Sequence, residues 1–199
     1  MNIPKNIFQE QGAVHLSNVI PIEFCQFFTH VLMRKQFLGG AKGDEQIPNA
    51  KAILEHEVMF ETLLERMWPV IEKTIEEELL PTYAYARLYS NGDILEKHTD
   101  RGACEVSVSI QLGRTHDYAW AIHMGSREYI MDEGDAIIYK GCEIEHWRNK
   151  CDGPEGYLSG QVFLHYVRKN GQHANEAGDS TFRAAPSFVK NRSLDMESK

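Results

Sequence analysis

The sequence predicts an α+β fold in which helices come first and an antiparallel β-sandwich or barrel follows. Apolar residues in the first third recur at helical spacing, whereas from Thr82 onward they alternate with a period of two. The later segments are short and separated by Gly, Asp and Asn turns, which is typical of antiparallel sandwiches and barrels. We expect a single domain over residues 1–199, with a helical part (1–81), a β core (82–168) and a polar C-terminal arm (169–199).

Two helical segments are predicted in the first part of the chain. The first begins near Pro21, because proline suits the first turn of a helix. Its apolar stripe comprises Phe24, Phe27, Phe28, Val31 and Leu32. The second covers residues 55–80, where Pro69 should kink or split the helix and Pro81 should end it. Between the two segments, residues 39–49 form a loop by their Gly, Pro and Asn content.

The β core contains strand candidates in which one face is apolar and the other polar. The clearest is "CEVSVSIQL", in which Val106, Val108 and Ile110 alternate with serine and glutamate. The segment "TYAYARLYS" precedes the turn signal "SNGD", and "ILEKHTD" follows that turn as a short strand. Because the helices come first and the strands later, the helices should back one face of a sandwich.

Composition excludes several classes of protein. The net charge is −8, from 29 acidic and 21 basic residues, which disfavours nonspecific binding to a nucleic-acid backbone. The four cysteines have no CxxC spacing and are interpreted as reduced, mostly structural thiols. No apolar run approaches the ~20 residues of a membrane span, and the N-terminal sequence lacks a signal-peptide pattern, so a cytoplasmic protein is expected.

The triplet "HTD" is a candidate half of a metal site. Residues two apart in a strand point to the same face, so His98 and Asp100 should project side by side. His146, in "EIEHWRN", is the best third ligand, because it follows a Gly-Asp turn and an apolar strand. Two imidazoles and one carboxylate form the facial triad of non-haem Fe(II) oxygenases. With nine histidines in the chain, a His-x-Asp triplet can arise by chance and does not establish a metal site alone.

The ordered set "YARLYSNGDILEKHTD … SVSIQLG … GDAIIYKGCEIEHW … GQVFLHYV" resembles the 2-oxoglutarate/Fe(II) dioxygenases, in particular their prolyl-4-hydroxylase-like branch. The resemblance covers residues 82–167. It implies a double-stranded β-helix core, jelly-roll or cupin-like, with the N-terminal helices packed on one sheet. It also implies Fe(II) held by His98, Asp100 and His146, with 2-oxoglutarate and O₂ as cosubstrates and ascorbate as a candidate accessory cofactor.

The resemblance further implies a pocket for the distal carboxylate of 2-oxoglutarate. Tyr89 matches the tyrosine of the strand before the metal triplet, and Gln111 matches another pocket position. The family usually places an Arg or Lys on the last core strand, where this chain has Ser159 and Gln161, and a neutral Gln cannot replace a guanidinium–carboxylate pair. The basic residues that qualify instead are Arg148, which we favour, Arg87 and Lys140.

The expected reaction is hydroxylation of a C–H bond in a peptide, a protein side chain or a small amino-acid-like molecule, with 2-oxoglutarate decarboxylated to succinate. Asp100 supports hydroxylation, because the halogenating relatives replace this carboxylate with a small residue. Nucleic acid is a poorer substrate for so acidic a chain. Two alternatives remain open: a cupin-type iron dioxygenase that does not use 2-oxoglutarate, and a non-catalytic β-sandwich protein with a degenerate site. The first usually has three histidines, and the second requires the ligand side chains to lie apart.

Overall fold

The computed structural model describes residues 7–39 and 43–178, which form two antiparallel sheets with helices outside them. In these residues the helices are α1 (Ile7–Gln11), α2 (Ile22–Phe37) and α3 (Val58–Ile75). The N-terminal strands are β1 (Ala13–Leu16) and β2 (Ala52–Glu55). The later strands are β3 (Leu79–Ser90), β4 (Leu95–His98), β5 (Val106–Arg114), β6 (Ile122–Met124), β7 (Arg127–Tyr129), β8 (Ala136–Lys140), β9 (His146–Arg148) and β10 (Leu158–Arg168).

The two sheets differ in size. The large sheet has six strands in the order β1-β8-β5-β10-β3-β2, and the small sheet has four in the order β4-β9-β6-β7. Apolar residues of the small sheet, including Leu95 and Ile122, belong to buried clusters that also contain Tyr89 and Ile137 of the large sheet. The inner faces of the two sheets therefore pack against each other, as the sequence predicted for a sandwich.

Helices α2 and α3 cover the outer face of the large sheet. The buried stripe of α3 repeats at helical spacing and comprises Phe60, Leu64, Met67, Ile71 and Ile75. It belongs to the same apolar cluster as Val108 and Ile110 of β5 and Val162 and Leu164 of β10. The alternating partners of those strand residues therefore point the other way, into the space between the sheets. On β5 these partners are Ser107, Ser109 and Gln111, which are buried although they are polar.

The helical part differs from its prediction in several details. It contains the short strands β1 and β2, which pair with β8 and β3 at the two edges of the large sheet. Residue Pro69 does not split α3: it lies on the exposed side of a continuous helix, whose opposite face is buried. Glu76 ends α3 in a left-handed conformation, with φ 57°, and Pro81 lies inside β3 rather than ending a helix.

The apolar stripe predicted for α2 is partly wrong. The buried residues of this helix are Cys25, Phe28 and Leu32, which pack toward the large sheet. Phe24 and Phe27 are more than half exposed. The reason is that α2 presents only one narrow edge to the sheet, so neighbouring apolar positions stay at the surface.

The C-terminal arm is described only up to residue 178. Its first part packs on the body of the protein, since the Lys169 amide donates to the Glu78 carbonyl and the Gly178 amide to the Pro81 carbonyl. Residues 179–199 lie outside the described part of the chain. All four cysteines lie in the described part and are free thiols, three of them buried. Within residues 7–39 and 43–178, no helix combines the length and apolarity needed to cross a bilayer.

Candidate metal centre and its cleft

The structure brings the three predicted ligand residues together at one end of the sandwich. His98 ends β4 and His146 begins β9, and the two residues pair directly in the antiparallel ladder of the small sheet. Their ring centroids lie 4.3 Å apart. Asp100 follows two residues after His98, and its Oδ1 lies 3.7 Å from Nε2 of His98 and 3.4 Å from Nε2 of His146. One ligand atom from each residue lies within 4.8 Å of the others, which fits a single metal ion.

Both histidines are oriented by the same backbone contact. Nδ1 of His98 lies 2.7 Å from the Glu96 carbonyl oxygen, and Nδ1 of His146 lies 2.9 Å from the Ile144 carbonyl oxygen. A carbonyl only accepts, so each Nδ1 carries the proton and donates it. Each Nε2 therefore keeps a lone pair directed toward Asp100. Such a backbone partner fixes the tautomer of a metal-binding histidine.

Asp100 is held from three sides. Its backbone amide donates to the Gly141 carbonyl, at 2.8 Å. Its Oδ2 accepts a hydrogen bond from the Ser107 hydroxyl, at 2.9 Å. Gly141 also permits this close packing, because a Cβ at that position would lie 2.5 Å from the same Oδ2 and 2.2 Å from the Cys104 carbonyl oxygen. The carboxylate is thus fixed in place before any metal binds.

The electrostatics favour ligands in their metal-binding protonation states. Burial lowers the pKa of His98, and the neighbouring His146 lowers it further, against the Glu96 carbonyl bond. Burial tends to raise the pKa of Asp100, but the interactions with His146, His165 and Ser107 outweigh it, so the pKa lies below its ordinary value. At neutral pH the site therefore offers a neutral His98 imidazole and an ionised Asp100 carboxylate, the forms that metals bind.

A cleft of about 500 Å³ opens beside these residues. His98, Asp100 and Arg101 lie at one side, and the side chains of Tyr83, Tyr85 and Arg87 on β3 form a wall. His165 of β10 also lines the cleft, with Cys104 nearby. The loop predicted between the first two helices contributes through Asp44, Glu45 and Gln46, which lie in its described part.

His165 is a buried polar residue of β10 that lines the cleft. It is 3% exposed, and its Nδ1 lies 2.9 Å from the Ser107 hydroxyl oxygen. The Ser107 hydroxyl has one proton, which it donates to the Asp100 carboxylate, so Nδ1 of His165 must be the donor in its contact with Ser107. Its Nε2 is then an acceptor, and it has no partner among the described residues. Burial lowers the pKa of His165 to about 4, so the ring is neutral at pH 7.

Cys104 and His165 form a second group of possible metal ligands with Asp100. Cys104 is buried, and its sulfur lies 3.1 Å from the Tyr83 hydroxyl. Burial and the nearby Asp100 raise the pKa of this thiol to about 12. The sulfur is therefore protonated at neutral pH, whereas metals bind the thiolate. The His98–Asp100–His146 group is the better metal site.

The residues predicted to bind 2-oxoglutarate lie between the two sheets. Gln111 and Gln161 face each other on β5 and β10, and Nε2 of Gln161 donates to Oε1 of Gln111 at 3.1 Å. The Tyr89 hydroxyl accepts a hydrogen bond from Nη1 of Arg87, at 3.0 Å. The Tyr89 ring meets the edge of Trp120, with centroids 5.3 Å apart, so Trp120 belongs to the core rather than to the cleft wall.

The three candidate cations occupy different environments. Arg148 is 1% exposed, lies over the Trp120 ring at 4.8 Å and donates from Nη1 to the Trp120 carbonyl. Its Nε and Nη2 have no partner in the described residues. Arg87 is equally buried but pairs with Asp44. Lys140 lies away from the site, where its Nζ is 3.6 Å from Glu143 and 5.8 Å from the centre of the Phe8 ring.

Sequence reasoning missed several residues that shape the site. Ser107, Gly141 and Asp44 were not singled out, although alternation on β5 places Ser107 on the polar face. Ser107 lies only seven residues after Asp100, but the contacts of Gly141 with Asp100 and of Asp44 with Arg87 join elements more than 40 residues apart. Trp147, which follows His146, stacks on its strand neighbour His123 in the small sheet, with ring centroids 5.0 Å apart.

Comparison with known proteins identifies the fold. No protein-family model matches the chain, and no curated protein matches it by sequence. Among solved structures, it is similar to a prolyl-4-hydroxylase from Pseudomonas putida, with a TM-score of 0.63 and 12% identity over 82% of this chain and 96% of that one. It is also similar to HygX from Streptomyces hygroscopicus with nickel and 2-oxoglutarate bound, with a TM-score of 0.62 and 12% identity over 82% and 85% of the two chains.

A third similar structure is a prolyl hydroxylase from Trichoplax adhaerens in complex with a peptide fragment of the hypoxia inducible factor oxygen degradation domain. Its TM-score is 0.60, with 12% identity over 82% of this chain and 87% of that one. The chain therefore has the fold of the prolyl-4-hydroxylases and other 2-oxoglutarate/Fe(II) oxygenases, as the resemblance implied. At these identities the likeness establishes the fold, and the chemistry is argued from the site.

Proposed function

We propose that this protein is an Fe(II)- and 2-oxoglutarate-dependent oxygenase that hydroxylates a C–H bond. The observation that carries the proposal is the convergence of His98, Asp100 and His146 within 4.8 Å, on a fold that 2-oxoglutarate/Fe(II) oxygenases share. A non-catalytic sandwich with a degenerate site has no need for three such groups, each oriented by its own hydrogen bond. In this proposal the two sheets form the double-stranded β-helix of that enzyme class.

Iron suits this donor set. Two neutral imidazoles and one carboxylate bind Fe(II) on one face and leave positions open for a cosubstrate and O₂. The bound iron supplies the oxidative chemistry, coupled to decarboxylation of 2-oxoglutarate to succinate. The protein residues orient the ligands and exclude water: Ser107 fixes Asp100, and the packed aromatic wall of Tyr83 and Tyr85 closes one side of the cleft.

Arg148 is proposed to bind the distal carboxylate of 2-oxoglutarate. His146 and Arg148 lie two residues apart on β9, so their side chains share the inner face about 7 Å apart along the strand. A fully buried guanidinium without a carboxylate partner is costly, because burial removes the solvation of its charge. Burial indeed lowers the pKa of Arg148. A carboxylate ligand would supply the missing countercharge and bind the free Nε and Nη2.

The other residues of this pocket are proposed to provide neutral contacts. Tyr89 packs on the same Trp120 ring as Arg148, which places its hydroxyl at the edge of this region. Gln111 and Gln161 form a hydrogen-bonded pair on the floor between the sheets. This arrangement argues against the cupin-type alternative, because an enzyme that does not use 2-oxoglutarate needs no buried cation to bind its distal carboxylate. Arg148 on β9 then compensates for the neutral Ser159 and Gln161 at the start of β10.

The substrate is proposed to be a peptide, a protein side chain or a small amino-acid-like molecule. The solved structures of the same fold include complexes with a peptide and with hygromycin B. Both kinds of substrate fit an open cleft of about 500 Å³. Location in the cytoplasm stays a prediction from the sequence.

The proposal is tested by anaerobic titration of the metal-free protein with Fe(II) and then with 2-oxoglutarate. We expect a weak visible metal-to-ligand charge-transfer band that forms only when both are present. His98→Ala should abolish the band, whereas His116→Ala, a change at an exposed histidine outside the cleft, should not. Absence of the band in the wild-type protein, with Fe(II) shown to be bound, would contradict the use of 2-oxoglutarate and favour the cupin-type reaction.

A further inference from the structure

Arg87 is a second buried cation, and its surroundings differ from those of Arg148. It lies on β3, is 1% exposed and lines the cleft beside His98 and Asp100. Nη1 donates to the Tyr89 hydroxyl, and Nη2 donates to the Asp44 carboxylate and, at 3.2 Å, to Oε1 of Gln46. Its Nε has no partner in the described part of the chain. The guanidinium edge formed by Nε and Nη2 is therefore only half used.

Asp44 is a poorly matched partner for this guanidinium. Its Oδ1 accepts a hydrogen bond from the Ile47 amide, at 2.6 Å, so only Oδ2 reaches Arg87. A guanidinium binds a carboxylate most strongly when two parallel N–H groups meet both oxygens. The Asp44 side chain is also 30% exposed, whereas the Arg87 side chain is 2% exposed. Asp44 thus uses only one of its two oxygens on Arg87, and its partly exposed side chain can move away into solvent.

The position of Arg87 relative to the metal residues suits a small ligand. Tyr85 lies between Arg87 and Tyr83 on the same face of β3, with successive side chains about 7 Å apart. The rings of Tyr85 and Phe163 stack at 4.7 Å, and the Arg87 guanidinium lies over both, at 5.3 and 5.9 Å from their centres. A molecule held at Arg87 would extend across these rings toward the metal residues.

We propose that Arg87 binds the free carboxylate of a small amino-acid-like substrate, which displaces Asp44. This inference rests on the proposed function and narrows its substrate class. The same cleft offers Glu45 and Glu55 for an ammonium group, and the buried Nε2 of His165 as an acceptor for an N–H donor. Both charges of an amino acid thus have complements in one cleft. Arg148 remains available for 2-oxoglutarate, because it has no carboxylate partner within residues 7–39 and 43–178.

The test uses pairs of probes that differ only at the carboxylate. The Fe(II)-loaded protein is supplied with 2-oxoglutarate, O₂ and each of the common free L-amino acids or its primary amide. Succinate formation is measured as a function of probe concentration. We expect at least one free acid to stimulate succinate formation, with its amide at least about 10-fold weaker, because a site built for a charged group rejects the analogue that lacks it.

Variants of the pair should act in opposite directions. Arg87→Gln should raise the concentration of the stimulating acid needed for half-maximal succinate formation at least about 10-fold, and it should remove the difference between acid and amide. Asp44→Asn should lower that concentration several-fold, because the internal competitor for Arg87 loses its charge. Arg66→Gln, a matched change on the exposed side of α3, should leave both probes unaffected. If the Arg87–Asp44 pair is purely structural, both variants should respond more weakly to the free acid, and Asp44→Asn should not respond more strongly.

The outcomes separate this inference from the proposed function. If no free acid stimulates succinate formation, or if acids and amides act equally, the inference is overturned while the charge-transfer band leaves the oxygenase proposal standing. If Arg87→Gln abolishes the band, Arg87 binds 2-oxoglutarate and the inference is overturned as well. If Arg87→Gln does not fold, Asp44→Asn decides, and no gain in that variant overturns the inference. Absence of the band in the wild-type protein defeats the proposed function first, and this inference with it.

Discussion

His98 and His146 are direct partners across the β4–β9 ladder, and each is oriented by a carbonyl two residues earlier in its own chain segment. The ladder sets the distance between the rings at 4.3 Å, and the carbonyls set which nitrogen of each ring faces Asp100. Two short strands therefore set the positions of both histidines, and the large sheet adds the contact that fixes Asp100. The arrangement leads to four tests.

Loss of either histidine should remove the metal. For His98→Ala and His146→Ala we expect Fe(II) affinity to fall by more than roughly 100-fold, beyond the 10- to 100-fold typical of outer partners of a metal site. The reason is that two ligands cannot hold the ion as three do. Anaerobic calorimetry measures the affinity, and His116→Ala is the control. Wild-type affinity in either ligand variant would exclude this metal centre.

Ser107 should act on the metal through Asp100. Ser107→Ala removes the hydrogen bond to Oδ2, so the carboxylate gains freedom, and Fe(II) affinity should fall by roughly 10- to 100-fold. Ser109 lies two residues further along the same face of β5 and bonds to Gln161 instead, at 3.4 Å. Ser109→Ala is therefore the matched control and should retain the wild-type affinity. Equal losses in both variants would indicate general loosening of β5 rather than orientation of Asp100.

Arg148 should decide the binding of 2-oxoglutarate and spare the iron. In the Fe(II)-loaded wild-type protein, 2-oxoglutarate at 100 times its Kd should raise the free energy of unfolding by about 2.7 kcal/mol. In Arg148→Gln this gain should largely vanish at the same concentration, while Fe(II) affinity stays unchanged. Thermal or urea unfolding measures the gain, with Lys140→Gln as the control because Lys140 faces Phe8. If 2-oxoglutarate raises the free energy of unfolding of Arg148→Gln as much as that of the wild type, Arg87 or Lys140 binds its distal carboxylate instead.

His165 should make the metal-free protein sensitive to acid. Its pKa is about 4 in the folded chain, through burial, against an ordinary value of 6.5. The neutral ring thus contributes stability that is fully present above pH 6.5 and is lost as the pH falls toward 4. Between pH 7 and pH 5 the loss from this residue should be about 2 kcal/mol. Urea unfolding at both pH values should show this loss in the wild type and not in His165→Gln.

The prediction from sequence succeeded where it relied on local periodicity. Alternation on β5 correctly separated Val106, Val108 and Ile110 from the polar face. The alternation assumed for His98 and Asp100 does not extend that far, because β4 ends at His98 and a turn brings Asp100 to the same place. The prediction failed at Phe24 and Phe27, because helical periodicity cannot reveal how wide a face the sheet will cover. The alternative that Pro69 splits the helix was also wrong, because a proline on the exposed side of a helix costs one backbone bond without interrupting the packing on the other side.

By itself, the sequence determined that helices precede most of the strands, which three residues are candidate metal ligands, and that Ser159 and Gln161 stand where a cation is expected at the start of the last strand. The tertiary structure decided which groups those residues meet: Ser107 beside Asp100, Asp44 beside Arg87, and no carboxylate in the described residues beside Arg148. The physical reason is the range of each interaction. Side-chain direction follows from neighbouring residues along a strand. The Ser107–Asp100 contact depends instead on how the turn between β4 and β5 folds, and the surroundings of Arg87 and Arg148 depend on the course of a distant loop and on which strands pair, none of which a local period encodes.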